Sequence, residues 1–90
     1  MSRFDQLQSR LTSALKPVVC ELEDDSAAHA GHAGAASGGS HYNLKIISHH
    51  FEGLNRISRH RLVYDAIGDM MHTEVHALAI VAMAPSEIPT

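Results

Sequence analysis

The alternation of apolar and polar residues predicts one helix and two strands in the first half of the chain. Over Ser2–Leu15, apolar residues recur every three or four positions, which is the period of a helix with one buried face. The period shortens to two over Val18–Glu23 and again over Tyr42–Ser48, as in half-buried strands. Ser2 is the expected N-cap of the helix, and Pro17 is expected to end it.

The second half of the chain predicts a long helix followed by a strand. One helix face collects six apolar residues: Leu62, Val63, Ala66, Ile67, Met70 and Met71. Ser58 is the expected N-cap, so that the helix would open on Arg59-His60-Arg61. A polar break at 72–74 separates this helix from an apolar strand over Val75–Ala84.

The resulting element order, α-β-β-α-β, predicts a two-layer α+β sandwich. The last two strands flank a helix, and such a crossover is right-handed and leaves its two strands parallel. The first two strands should pair antiparallel. We therefore expect a three-stranded mixed sheet with both helices packed on one face.

Length and composition are those of a single small globular domain over residues 1–90. Residues 24–40 hold four of the six glycines and no bulky apolar side chain, so a flexible loop is expected between the first two strands. Residues 86–90 are expected to form a tail. The one cysteine, Cys20, excludes an internal disulfide, fits a reducing cytosol and is expected to be buried. No apolar run is long enough to span a bilayer.

Basic residues are clustered on a chain whose net charge of −3 argues against a protein that coats nucleic acid. Four of the seven lysines and arginines fall close together in the sequence: Lys45, Arg56, Arg59 and Arg61. Basic side chains in the first turn of a helix oppose the helix dipole, so this cluster, with His60, is a candidate site for an acidic partner or a phosphate. A solvated helix face, or ion pairs within the chain to Asp65 and Asp69, explains the same cluster equally well.

Eight histidines make metal binding a hypothesis that has to be considered. His29 and His32 lie in the Gly/Ala-rich loop at a spacing that can suit one metal ion, although the spacing alone favours solvated side chains on a mobile loop. His76, near the start of the last strand, is either a structural histidine or a ligand. Since no nucleophile, base and orienting group occur together, an enzyme is not expected.

Two segments, FEGLNRISRHRLVYDAIGDMM and VHALAIVAMAP, resemble the BolA family through an RHR-x-V-Y helix and a HAL strand followed by proline. The upstream segment DDS…H…SHY…LKIIS is similar to the same family, so the resemblance covers nearly the whole chain. It implies a KH-like (class II) αββαβ domain, which is the element order that the hydrophobic pattern predicts.

The resemblance also implies a partner and a shared cofactor. BolA proteins partner monothiol (CGFS-type) glutaredoxins and bind a shared [2Fe–2S] cluster in iron–sulfur maturation, trafficking or iron signalling. Their ligands are a histidine that opens the last strand, matching His76, and a loop histidine, for which His29 and His32 are candidates. The other two ligands would be a glutaredoxin thiolate and its bound glutathione. The isolated chain would then hold no cofactor, and it is expected to be monomeric and cytoplasmic.

A second functional picture in the family is a DNA-binding transcriptional regulator of cell morphology and stress response. In this chain it implicates the helix-turn-helix-like segment, with Arg56, Arg59, His60, Arg61 and Lys45. Three arginines on a domain of net negative charge predict weak binding that depends strongly on salt.

Overall fold

Three strands form a sheet that helices cover on one face, in a computed structural model that describes residues 2–25, 41–73 and 75–88. This arrangement confirms the predicted α+β sandwich. The elements are α1 (Arg3–Leu15), β1 (Val19–Asp24), β2 (His41–Ile47), α2 (Arg56–Ile67), α3 (Met70–Thr73) and β3 (Ala77–Met83). Single 3-10 turns follow β2 and β3, at His49–Phe51 and Pro85–Glu87.

The central strand of the sheet is β2, in the order β1-β2-β3. β1 runs antiparallel to β2, and β3 runs parallel to it, as the crossover predicts. Leu44 of β2 lies between Leu22 and Ile80 in this register. Because β2 and β3 are parallel, their first residues, His41 and Ala77, meet at the same end of the sheet.

The core lies between the sheet and the helices, and it is almost entirely aliphatic. Its buried members are Leu7, Leu11, Leu15, Tyr42, Leu44, Ile46, Phe51, Val63, Ile67, Met70, Val75 and Ala84. Each large apolar side chain stabilises the fold by about 1.5–3 kcal/mol when it is fully buried. The predicted apolar face of β2 is thereby confirmed, and a slip of one residue would turn that face to solvent.

Polar contacts fix both ends of α1. Ser2 is the N-cap, as predicted, and its Oγ accepts a hydrogen bond from the Asp5 N–H at 3.1 Å. At the other end, the buried Ser48 donates from its Oγ to the Leu15 carbonyl at 2.6 Å. Ser48 directly follows β2, so this bond joins the end of α1 to the sheet.

The predicted start of the second helix is wrong by three residues. Asn55, not Ser58, is the N-cap, and its Oδ1 accepts a hydrogen bond from the Ser58 N–H at 2.8 Å. The helix therefore opens on Arg56 instead of Arg59. Both residue types are favoured N-caps, and the pattern of apolar positions does not distinguish them.

The single long helix predicted through Met71 is divided into α2 and α3. Gly68 has φ 57° and ψ −130°, a conformation that side chains rarely adopt, and it ends α2 after Ile67. Arg10 of α1 donates from Nη1 to the Ile67 carbonyl at 2.7 Å, so the end of the helix is capped from the neighbouring element. The apolar face continues across the break, because Met70 is buried like Ile67.

Candidate functional site

Two histidines lie at the end of the sheet where β2 and β3 begin. His76 directly precedes β3 and is exposed, and His41 is the first residue of β2 and is half-buried. Their ring centroids are 5.2 Å apart and their planes are inclined by 43°. The parallel register places His41 opposite Ala77, so backbone pairing brings the two side chains together.

Of the three predicted metal ligands, the structure places only His76. Its exposure removes the interpretation as a core histidine. His29 and His32 lie outside the described residues. Within the described ranges, no group of three or more histidine, cysteine, aspartate or glutamate side chains could hold a metal ion.

The segment that carries the two loop histidines is attached beside His76. The Asp25 N–H donates to the His41 carbonyl at 2.8 Å, so both attachment points of segment 26–40 are adjacent. His29 follows Asp25 by four residues, a chain length of about 14 Å at full extension. His32 follows it by seven residues, or about 25 Å. Both loop histidines are therefore close in sequence to the end of the sheet that carries His76.

Sequence reasoning missed His41 as part of this site. A local signal was available, since His41 stands between the loop and the second predicted strand. The predicted parallel pairing of the last two strands would also have brought their first residues together. What the sequence does not contain is the register, which decides that His41 is the neighbour of His76.

At the opposite end of β3, Arg59 is held by the fold. Its Nη1 and Nη2 donate to the two carboxylate oxygens of Glu87 at 2.6 and 2.8 Å. Nη1 also donates to the Ala82 carbonyl at 3.1 Å, and Nε donates to the Leu54 carbonyl at 2.9 Å. The Arg59 side chain is only 12% exposed. Its fork of donors is thus matched by acceptors of the same chain, as in strong bidentate pairs.

The Arg59–Glu87 pair keeps both groups charged. Glu87 accepts hydrogen bonds from Arg59 and from the Ala84 N–H, and these lower its pKa to about 2. The hydrogen bond to Glu87 raises the pKa of Arg59. Next to the pair, Ser86 donates from its Oγ to Glu52 Oε1 at 2.6 Å. The segment predicted as a tail, 86–90, therefore begins with two residues that contact the domain.

The other predicted basic residues do not form one cluster with Arg59. Arg56 and Arg61 are exposed on α2 and make no ion pair within the described part of the chain, and His60 is half-buried. Lys45 alternates with buried residues of β2, so it projects from the sheet face opposite the helices. There it pairs with Glu21 at 3.8 Å.

The ion pairs to Asp65 and Asp69 considered for the basic cluster are not the ones observed. Asp69 Oδ1 lies 3.2 Å from Nη1 of Arg10, in α1. Among the described residues, no ion pair joins Asp65 to the arginines of α2. Both expected pairs lay within one helix, whereas Arg59 and Asp69 find partners in other elements.

Cys20 lies on β1 and is half-buried against the core. Burial raises the pKa of its thiol, which disfavours the reactive thiolate. None of the helices described is long and apolar enough to cross a membrane.

These features define a class of protein: a KH-like α+β domain with an exposed histidine at the head of its last strand. The chain belongs to the BolA family, because the family model described as BolA-like protein matches residues 11–87.

Relatives with known names show the same family over nearly the whole chain. Protein BOLA1, chloroplastic, of Arabidopsis thaliana is 42% identical over 92 residues, which cover 99% of this chain and 58% of that protein. SufE-like protein 1 of the same plant is 44% identical over 97% of this chain and 25% of its own length. BolA-like protein 1 of Mus musculus is 38% identical over 90% of this chain and 57% of its own length. This chain thus spans between one quarter and three fifths of these relatives.

Solved structures agree with the fold. The structure of BolA1 from Arabidopsis thaliana superposes with a TM-score of 0.84 at 42% identity, covering 99% of this chain and 98% of that one. The solution structure of BolA1 from Mus musculus superposes with a TM-score of 0.77 at 37% identity, covering 92% of this chain and 65% of that one. The names of both Arabidopsis relatives place those proteins in chloroplasts or mitochondria, so a cytoplasmic location for this chain stays a prediction.

Proposed function

We propose that this chain partners a monothiol glutaredoxin and holds, together with it, a [2Fe–2S] cluster in iron–sulfur maturation, trafficking or iron signalling. His76 supplies one ligand, and His29 or His32 supplies the second. The observation that carries the proposal is the exposed His76 at the end of the sheet where segment 26–40 is attached.

The donor set fits a shared cluster better than one held by this chain alone. A [2Fe–2S] cluster needs four ligands, and two histidines on one iron are a known arrangement. Cys20 is the one cysteine, it is half-buried, and burial raises its pKa. The two remaining ligands therefore come from the partner, as a glutaredoxin thiolate and its bound glutathione. In this role the chain is an accessory protein and not an enzyme.

The test is anaerobic co-purification with a monothiol glutaredoxin, followed by visible absorption spectra of the complex. His76→Ala and one of the two loop variants, His29→Ala or His32→Ala, should lose or alter the cluster bands. His50→Ala is the matched control, because His50 is an exposed histidine outside the site. Unchanged spectra for His76→Ala and for both loop variants would overturn the ligand assignment.

Nucleic-acid binding is a second proposal, and it involves fewer residues than the sequence indicated. Arg56 and Arg61 are exposed and make no ion pair among the described residues, so both are available to phosphates. Arg59 is engaged by Glu87. Two arginines on a domain with a net charge of −3 predict weak binding.

A further inference from the structure

We infer that His41 and His76 together bind one divalent cation of the zinc class on the isolated chain, in the absence of a glutaredoxin. This inference does not depend on the proposed function, because it requires neither a thiolate nor a partner. It depends on the geometry of the two imidazoles, on the rigidity of their backbones and on the exposure of His76.

The separation of the two rings is that of a bis-imidazole chelate. Zinc binds histidine nitrogen at about 2.1 Å in tetrahedral geometry, which places the centroids of two ligating rings about 5.3 Å apart. The centroids of His41 and His76 are 5.2 Å apart. Ring packing alone also allows such a distance, but it favours planes that are nearly parallel or nearly perpendicular. The observed inclination of 43° is neither.

The backbones that carry the two rings are fixed before any ion binds. His41 is paired to Ala77 in the sheet, and its carbonyl accepts the Asp25 N–H. His76 follows Val75, which is 2% exposed and donates its N–H to the Met70 carbonyl at 2.8 Å. Binding an ion therefore leaves the paired backbone of both residues in place, which limits the entropy lost on binding.

The ligand type selects the class of cation. Neutral imidazole suits zinc, copper and nickel, whereas magnesium and calcium prefer carboxylate and carbonyl oxygens. Because His76 is exposed, water can occupy the other coordination positions of the ion. Two protein ligands predict a weaker site than a structural zinc site with four.

The experiment is a calorimetric titration of the full chain with Zn²⁺, repeated with Co²⁺ and followed by visible absorption. We expect one equivalent to bind through the two imidazoles. His41→Asn and His76→Asn should each weaken binding at least about tenfold. His50→Asn is the matched control and should leave the affinity unchanged. Thermal melts in chelator establish that each variant is folded.

A second measurement keeps the inference testable if a variant fails to fold. In the wild-type chain, Zn²⁺ should shift the ¹⁵N resonances of the His41 and His76 rings more than those of any other histidine. Absence of these shifts at one equivalent would overturn the inference. Retained affinity in His41→Asn, with loss in a His29→Ala/His32→Ala double variant, would overturn it as well.

Failure of this inference and failure of the proposed function are distinguishable. Loss of Zn²⁺ binding in His41→Asn with normal cluster bands in the glutaredoxin complex would support two separate ligand sets that share His76. Normal cluster bands with no Zn²⁺ binding by the wild-type chain would overturn the cation site alone. Zn²⁺ binding without any cluster would overturn the proposed function alone.

Discussion

The polar side chains next to the two ends of β3 differ in their exposure and in what they contact. At its C-terminal end, Arg59 is 12% exposed and donates hydrogen bonds to Glu87, Ala82 and Leu54. At its N-terminal end, His76 is exposed and lies against the ring of His41. A charged group surrounded by acceptors of its own chain stabilises the fold. A polar group exposed on a rigid backbone is available to a ligand.

Proximity in the sequence does not give the basic residues of α2 a common role. Arg59, His60 and Arg61 are consecutive, and a common role was the natural hypothesis. On a helix, successive residues point in directions about 100° apart, so neighbours in the sequence have different surroundings. Arg59 faces β3 and the turn after it, whereas Arg61 is exposed to solvent.

The largest expected effect is a difference in pH dependence between the two ends of β3. The cluster bands of the glutaredoxin complex should be lost between pH 7 and about pH 5.5, because imidazoles must be neutral to bind metal and free imidazole has a pKa near 6.5. The stabilising effect of the Arg59–Glu87 pair should stay constant in the same interval, since the pKa of Glu87 is about 2. Visible spectra and melting curves recorded at matched pH values check both statements. Cluster bands indifferent to acid would argue against histidine ligands.

Removal of Arg59 should give the largest loss of stability among the residues compared. Arg59→Ala removes the guanidinium donors that bond Glu87 and the Ala82 carbonyl, and we expect the melting temperature to fall by about 10 °C. Arg61→Ala and His76→Asn remove exposed side chains and should stay within about 2 °C of the wild type. Differential scanning calorimetry at neutral pH compares the three. An equal fall for Arg59→Ala and Arg61→Ala would contradict the assigned roles.

A substitution with a smaller effect on the melting temperature tests the charge of the Arg59–Glu87 pair alone. Glu87→Gln should lower the melting temperature by about 4 °C at pH 7, because one charge is lost while hydrogen bonding is partly kept. The pKa of Glu87 is lowered from 4.5 to about 2 on folding, so its stabilising effect is complete above pH 4.5. That effect declines as the pH falls and is lost below about pH 2. The melting curves of wild type and variant should therefore converge in acid, and a constant difference down to pH 2 would contradict the pKa assignment.

The smallest expected effect concerns nucleic acid. Arg56→Ala and Arg61→Ala should each reduce the slope of log affinity against log salt by about one, with a loss of only a few-fold at moderate salt. Lys45→Ala is the control, because Lys45 projects from the sheet face opposite the helices and pairs with Glu21. Fluorescence anisotropy at two salt concentrations measures the slopes. Affinities that do not depend on salt would exclude phosphate contacts by these arginines.

The layered fold follows from the sequence because periods of 3.6 and 2 are local properties. The apolar positions of the two helices and the three strands determine the element order, and the right-handed crossover rule makes β3 parallel to β2. The break at Gly68 could not be derived in the same way. A single glycine is tolerated within a helical pattern, and the apolar face continues through Met70.

The site was only partly predictable, since its contacts join residues distant in the chain. His76 stood out through family resemblance, while its neighbour His41 depends on the register of β2 and β3. The pairing of Arg59 with Glu87 joins residues 28 apart, and no local pattern indicates it. His29 and His32 lie outside the described residues, so the choice between them stays a prediction.

The bond from Arg59 to the Ala82 carbonyl also has a consequence for association between molecules. The next carbonyl, that of Met83, accepts the Ser48 N–H from the β2 side, so the Ala82 carbonyl points away from the sheet. β3 is one of the two outer strands of the described sheet, and unpaired carbonyls on an outer strand invite another chain to add a strand. By occupying this carbonyl, the guanidinium of Arg59 obstructs strand addition at the C-terminal end of β3.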